Sequence, residues 1–365
     1  EPADDTAPEP ADDTDPDARV AGDAGRSPKG VAITLVQWGV ALGAFWYVAR
    51  DVDWRETGAE LAAVDPWVLA AIAAVTAAEF GSRFSMWYVL LNARDRVSFA
   101  TTARIDLVIK FVNHVIPSKA SGHSLAPLVL RHYTDAEWSE AVTVAGLNTG
   151  LYAALYGAVA LAGVGLFATR LPGGILLVIV LSTGIYLAAA AVILLAGRRM
   201  EVAGALVGTL EGVVARVPRV GGRLAGLVGK FPSFTAESAG VFRDLSSRPS
   251  VVLPYAAGWA GTLMVCPGLR VWLLLTGLGG EFSPAVLLPV VLVMAYSVTV
   301  LPLTPGGVGV AEASATLVFT GLGVAPEMAG AVVLVDRTLG VYLPAVIGWI
   351  PMADIDLGEV LASEG

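Results

Sequence analysis

From residue 174 to residue 196 the chain runs through twenty-three positions without a charged side chain. A bilayer core about 30 Å thick takes roughly 20 apolar residues of helix, so this run is long enough to cross it. Apolar runs of similar character occupy 31–49, 67–91, 141–168, 251–278, 284–300 and 328–350. In lipid the backbone has no water to bond to, so a lone segment must bond internally, as a helix. The pattern predicts an all-α polytopic membrane protein with about seven to eight membrane segments. With 55% of residues hydrophobic and 15% charged, no nucleic-acid-binding surface is expected.

Two stretches depart from this pattern. Pro302-Leu-Thr-Pro-Gly-Gly-Val-Gly-Val-Ala-Glu312 sets two prolines, three glycines and a carboxylate between apolar runs. Proline removes a backbone donor and glycine leaves the backbone bare, so a regular helix should not pass through Pro302, Pro305, Gly306 and Gly307. Broken backbone at membrane depth persists only where protein or a watery cavity bonds it, and transporters build sites from such segments. The other stretch is 105–130, where two short apolar pieces flank Pro117-Ser-Lys-Ala-Ser-Gly122. Each piece is too short to span, which predicts a re-entrant hairpin. Ile116-Pro117 with Gly122 can be laid over Leu301-Pro302 with Gly307. An inverted repeat of two broken-helix hairpins would account for this, and so would two unrelated Pro/Gly turns.

Charged residues within apolar runs are costly and tend to face a bundle interior or cavity. Arg337 lies near the centre of 328–350; Asp336 points to a different helix face, leaving Glu312 as its expected partner. Such a pair can bind a ligand or simply hold helices together. Glu79 and Arg83, four residues apart, can pair on one helix face. Asp106, Lys110 and His114 form a polar stripe at the same spacing. Asn113, Lys119 and His123 add polar groups to the first hairpin. Arg270 lies in 251–278, a run that Pro267-Gly268 is expected to interrupt. The histidines (His114, His123, His132) lack metal-ligand spacing, so no metal or other cofactor is expected. No phosphate-cradling or nucleophile-elbow motif occurs. The single cysteine, Cys266, reads as a buried thiol.

Residues 1–30 hold nine acids against Arg19, Arg26 and Lys29, with few aliphatic side chains and no aromatic ones, and read as a disordered tail rather than a signal or transit peptide. Acidic composition with only four lysines suggests adaptation to high salt. The integral domain is expected over 31–351, followed by an acidic tail at 352–365. Residues 197–249 carry eight basic side chains against four acids, with a stripe of Leu206, Leu210, Val213, Val214 and Val217. This insertion reads either as a basic helix in the headgroup plane or as a solvated linker. The positive-inside rule places it in the cytoplasm together with the N-terminus, in a multi-pass plasma-membrane protein, and gives the two hairpins opposite directions.

Pro302 to Glu312, Gly321-Leu-Gly-Val324 and Asp336-Arg337-Thr-Leu-Gly-Val-Tyr-Leu-Pro-Ala-Val-Ile-Gly348 together resemble the transmembrane region of lysylphosphatidylglycerol synthases. Asn113 to Gly122 resembles that family's first hairpin more loosely. The resemblance extends over 31–351 and suggests a stand-alone member without the aminoacyl-transferase domain. It departs from the family at Ala311, where an arginine is usual, at Ser121-Gly-His-Ser124 in place of Gly-Gly-Glu-Pro, and around Asn148, where the usual charged pair is missing. The resemblance implies a flippase-like transporter moving a polar or anionic lipid or glycolipid between leaflets. Arg337, Glu312, Lys119, Asn113 and His123 would then meet the headgroup, framed by Pro117, Gly122, Pro302, Pro305, Gly306 and Gly307. Membrane lipids are the expected partners, along with a second copy of the chain or a lipid-modifying enzyme. Two other readings are a glycosyltransferase with Asp51 and Asp53 as carboxylates, and a scaffold acting through 197–249.

Overall fold

The computed structural model describes residues 28–115, 119–198 and 240–353, apart from 51, 53 and 302; the side chains of 28–34, 54, 56, 57, 60, 61, 115–125 and 196–198 are not described. The acidic tails and the apolar stripe of the basic insertion lie outside these residues. Every regular element described is helical. In order these are α1 (Pro28–Ala49), α2 (Trp54–Ala63), α3 (Pro66–Asn92), α4 (Phe99–Val115), α5 (Lys119–Tyr133), α6 (Trp138–Phe167), α7 (Gly173–Arg198), α8 (Pro249–Gly277), α9 (Leu288–Tyr296), α10 (Val310–Gly321) and α11 (Pro326–Ala353). Among the described residues five helices are long and apolar enough to cross a membrane: α3, α6 (extended to Arg170), α7, α8 and α11. Shorter apolar helices occupy Leu35–Ala49 and Ala285–Val300.

Helix starts follow local chemistry. Asp65 accepts a hydrogen bond from the Trp67 amide at 2.9 Å, and Pro66 supplies a fixed φ at the first turn of α3. The segment between α1 and α3 is not irregular throughout, since α2 occupies Trp54–Ala63. Between α6 and α7 the connection is short, so the two lie side by side, and Gly157 lets Leu187 approach where a Cβ would meet it at 2.8 Å. Helix α8 lies close against α3 in the same way, with Gly258 and Gly261 facing Ser85 and Ser82.

The expected interruption at Pro267-Gly268 does not occur. The helix runs on through a π turn at Gly261–Val265, where the Cys266 amide reaches back to the Gly261 carbonyl. A second π turn at Thr338–Tyr342 precedes Pro344 at the same spacing, with Leu343 bonding to Thr338. A proline ring clashes with the carbonyl four residues back, and a widened turn just before it relieves that clash.

The first hairpin consists of α4 and α5, 17 and 15 residues long and packed together. At 1.5 Å per residue each is about 22–26 Å long, short of a full span. Gly122, expected in the turn, falls inside α5. The second hairpin is α9 and α10, and here the break is real. The chain is extended at Leu301 and Thr304, forms one tight turn at Pro305–Gly307, and has positive φ at Gly306, Gly307 and Gly309.

Candidate functional site

Five helices bring polar side chains into one buried region: Glu79 and Arg83 from α3, Arg270 from α8, Tyr296 from α9, Glu312 from α10, and Asp336, Arg337 and Tyr342 from α11. Arg270 is 1% exposed and Glu312 is fully buried. Removing such charges from water is expensive, and the region is tolerable only because nearly every group is paired.

One part is a closed network around Arg270. Its Nε and Nη2 donate to Asp336 Oδ1 at 2.8 and 2.6 Å, and its Nη1 donates to Glu79 Oε2 at 2.5 Å. The other oxygen of Glu79 accepts from Arg83 Nη2 at 2.6 Å, and that nitrogen also reaches the Gly340 carbonyl at 2.8 Å. Tyr296 donates to Asp336 Oδ2 at 3.0 Å. Both carboxylates of this part are thereby bonded at both oxygens. Room for the Arg270 guanidinium comes from Gly340, where a Cβ would lie 2.6 Å from Nη2.

The other part is a looser pair. Arg337 Nε donates to Glu312 Oε1 at 2.7 Å, and the Tyr342 hydroxyl donates to the same oxygen at 2.5 Å. The Arg337 guanidinium lies over the rings of Tyr296 and Tyr342, at 5.3 and 5.7 Å. Tyr296 thus touches both parts. Glu312 sits in the first turn of α10, where the helix dipole favours a carboxylate, and the turn at Gly309 starts the helix there. Among the described residues Glu312 Oε2, Arg337 Nη2 and Arg83 Nη1 have no hydrogen-bond partner.

The two hairpins meet at this pair. Gly306 lies so close to the end of α4 that a Cβ would come within 2.4 Å of the His114 ring. His114 in turn donates from Nδ1 to the Lys110 carbonyl at 2.8 Å and faces Tyr342 edge-on, with centroids 6.5 Å apart.

Of the residues singled out in the sequence, Arg337 and Glu312 are bonded to each other, and Pro305, Gly306 and Gly307 form the adjacent turn. Glu79 and Arg83 pair as their spacing predicts. Asn113 is half-buried near the end of α4, its Oδ1 buried without a partner among the described residues. Lys119, Gly122 and His123 lie in α5 with side chains that are not described, and Pro117, Pro302, Asp51 and Asp53 fall outside the described residues. The parts missed as site members are Arg270, Asp336, Tyr296, Tyr342 and Gly340. A signal for the first was present: Arg270 is the one charge in the run 251–278.

Residues 30–348 match the family described as the lysylphosphatidylglycerol synthase TM region. A segment of 84 residues is 36% identical to a UPF0104 membrane protein of Methanocaldococcus jannaschii, covering 23% of this chain and 25% of that relative. The chain therefore matches about a quarter of the length of that curated relative. No solved structure matches.

Proposed function

This chain belongs to the lysylphosphatidylglycerol synthase TM region family, and from that premise we propose that it is a flippase-like transporter, carrying a polar or anionic lipid headgroup between leaflets. The observation that carries the reading is the Glu312–Arg337 pair. It lies beside broken backbone where two hairpins of short helices meet, and it keeps an acceptor and a donor unspent. A headgroup crossing hydrocarbon needs charge partners at depth, and broken helices at the meeting of two hairpins provide them in other transporters. Arg337 and Glu312 would exchange their mutual bond for bonds to the headgroup, with Asn113, Lys119 and His123 lining its path. The membrane is taken as the plasma membrane with the N-terminus in the cytoplasm.

The test is leaflet exchange of a fluorescent anionic lipid in vesicles reconstituted with the purified chain. Wild-type protein should accelerate exchange over protein-free vesicles, and Arg337→Gln should lower that acceleration at least tenfold. Because Arg337→Gln leaves Glu312 with a single partner, the double variant Glu312→Gln/Arg337→Gln, with no buried charge left over, separates transport from folding. Exchange at the protein-free rate with wild-type protein sinks the proposal.

A further inference from the structure

Glu312 and Arg337 keep unspent bonding capacity yet are shut in, at 0% and 6% exposure, so a lipid reaches them only if a wall of the region moves. The walls are not equally fixed. Helices α3, α8 and α11 are tied together through the Arg270 ion pairs. Helix α4 is seated on α11, with Gly348 directly against the Leu107 carbonyl and Phe111 edge-on to Trp349 at 5.4 Å. Helix α1 is held differently.

Of the side chains described on α1, Ala41 and Val48 are buried, while Leu35, Val36, Leu42 and Trp46 are each more than 60% exposed. Val48 joins Val52, Ala331 and Leu334 in a small cluster, with Phe45 and Ala313 against it, separate from the two large cores of the molecule. Glycines complete the contact. A Cβ at Gly309 would lie 2.2 Å from the Ala41 carbonyl and 2.9 Å from the Phe45 amide nitrogen, and one at Gly330 would lie 3.5 Å from Val48 Cγ1. A helix that buries so little apolar surface belongs to the parts of a protein that open at low cost.

Behind α1 stands the ion pair. The helix packs against α10, the Pro305–Gly307 turn and α11. On α10, Gly309 touches α1 and Ala313 packs into its cluster, with Glu312 between them in sequence. On α11, Ala331 and Leu334 belong to that cluster, and Arg337 continues their three-residue spacing along the helix. The Glu312–Arg337 bond therefore bridges the two helices that α1 covers.

We infer that α1 is a lateral gate: by swinging away from α10 and α11 it opens the Glu312–Arg337 pair to the hydrocarbon, and a lipid enters there with its tails still in the bilayer. The gate rests on the transport reading for what passes through, and adds to it the entrance.

The experiment labels the full chain in vesicles with phenylglyoxal, an apolar dicarbonyl that reacts with guanidinium groups, and reads Arg337 and Arg270 by peptide mass. Val48→Cys/Gly330→Cys, in a Cys266→Ser background, brings two thiols within disulfide reach and locks α1 to α11 when oxidised. Arg337 should label at least tenfold more slowly in the oxidised than in the reduced protein, with Arg270 unchanged. Equal labelling of Arg337 in the two states overturns the gate, as does an equal fall at Arg270, which would mean general stiffening. Gly309→Ala works in the opposite direction without cysteines, pushing α1 outward, so Arg337 should label faster than in wild type; an equal rate overturns the gate. In the same vesicles the disulfide should slow leaflet exchange at least tenfold, and reductant should restore it. Slowed labelling with undiminished exchange overturns the gate as the lipid's entrance. If wild-type protein gives no exchange, the transport reading falls, and labelling of Arg337 still decides whether α1 opens.

Discussion

Arg270 is held by carboxylates that lie 191 and 66 residues away in the chain, Glu79 and Asp336. Removing one partner from a buried pair costs about 3–5 kcal/mol, because the remaining charge stays buried without compensation. Arg270→Met leaves two carboxylates facing each other, and a fall in Tm of many degrees in detergent is expected. Arg270→Lys keeps the charge but cannot reach both carboxylates with a planar fork, so its Tm should lie between those of Arg270→Met and wild type. Equal Tm values for Arg270→Lys and wild type would show that the fork geometry does not matter. Glu79–Arg83 and Glu312–Arg337 could be read from the sequence, the first by helix spacing and the second because a charge in an apolar run needs a partner. The Arg270 hub could not be read. Sequence shows that such a residue must be satisfied, but the identity of partners so far along the chain is decided by how α3, α8 and α11 cross.

At the scale of elements, run lengths were legible and breaks were misjudged. Apolar length fixed the long helices to within a few residues because the bilayer sets the requirement. Proline and glycine were less reliable guides. Pro267 continues its helix because a π turn absorbs the ring, and Gly122 sits inside α5. The turn at Pro305–Gly309 does break, and Gly309 shows why. Its φ of 80° is a conformation L side chains avoid, and a Cβ there would lie 2.2 Å from the Ala41 carbonyl of α1. Strain of this kind costs roughly 1–3 kcal/mol before any clash is counted. Gly309→Ala should therefore displace α1, lower the Tm and raise protease cleavage within residues 28–49. Gly323→Ala also sits at positive φ but meets nothing within 4 Å, so it serves as the control for backbone strain alone.

For the molecule as a whole, the outer surface carries Leu35, Trp67, Leu177, Val286 and Val346, each more than half exposed, as a lipid-facing belt requires. Polar groups are turned inward, where the charged region lies between helices from both ends of the chain. Within that region the bonds divide unevenly between the two halves. Glu79 has Arg83 on its own helix, Arg270 has Asp336, and Arg337 has Glu312, so every bonded cation finds a carboxylate in the same half. The bonds that cross are Arg270 to Glu79 and Arg83 to the Gly340 carbonyl. Each half can therefore enter the bilayer with its bonded charges already neutralised, and the crossing bonds form afterwards. A chain cut between Arg198 and Gly240 should yield two fragments that insert separately and co-purify when expressed together. Glu79→Gln should weaken that capture, since the oxygen facing Arg270 would no longer carry charge. Failure of the C-terminal fragment to insert alone would mean that neutrality within each half is not enough. The pairing pattern thus bears on the order of assembly: the half made first has no need of the second while it waits in the membrane.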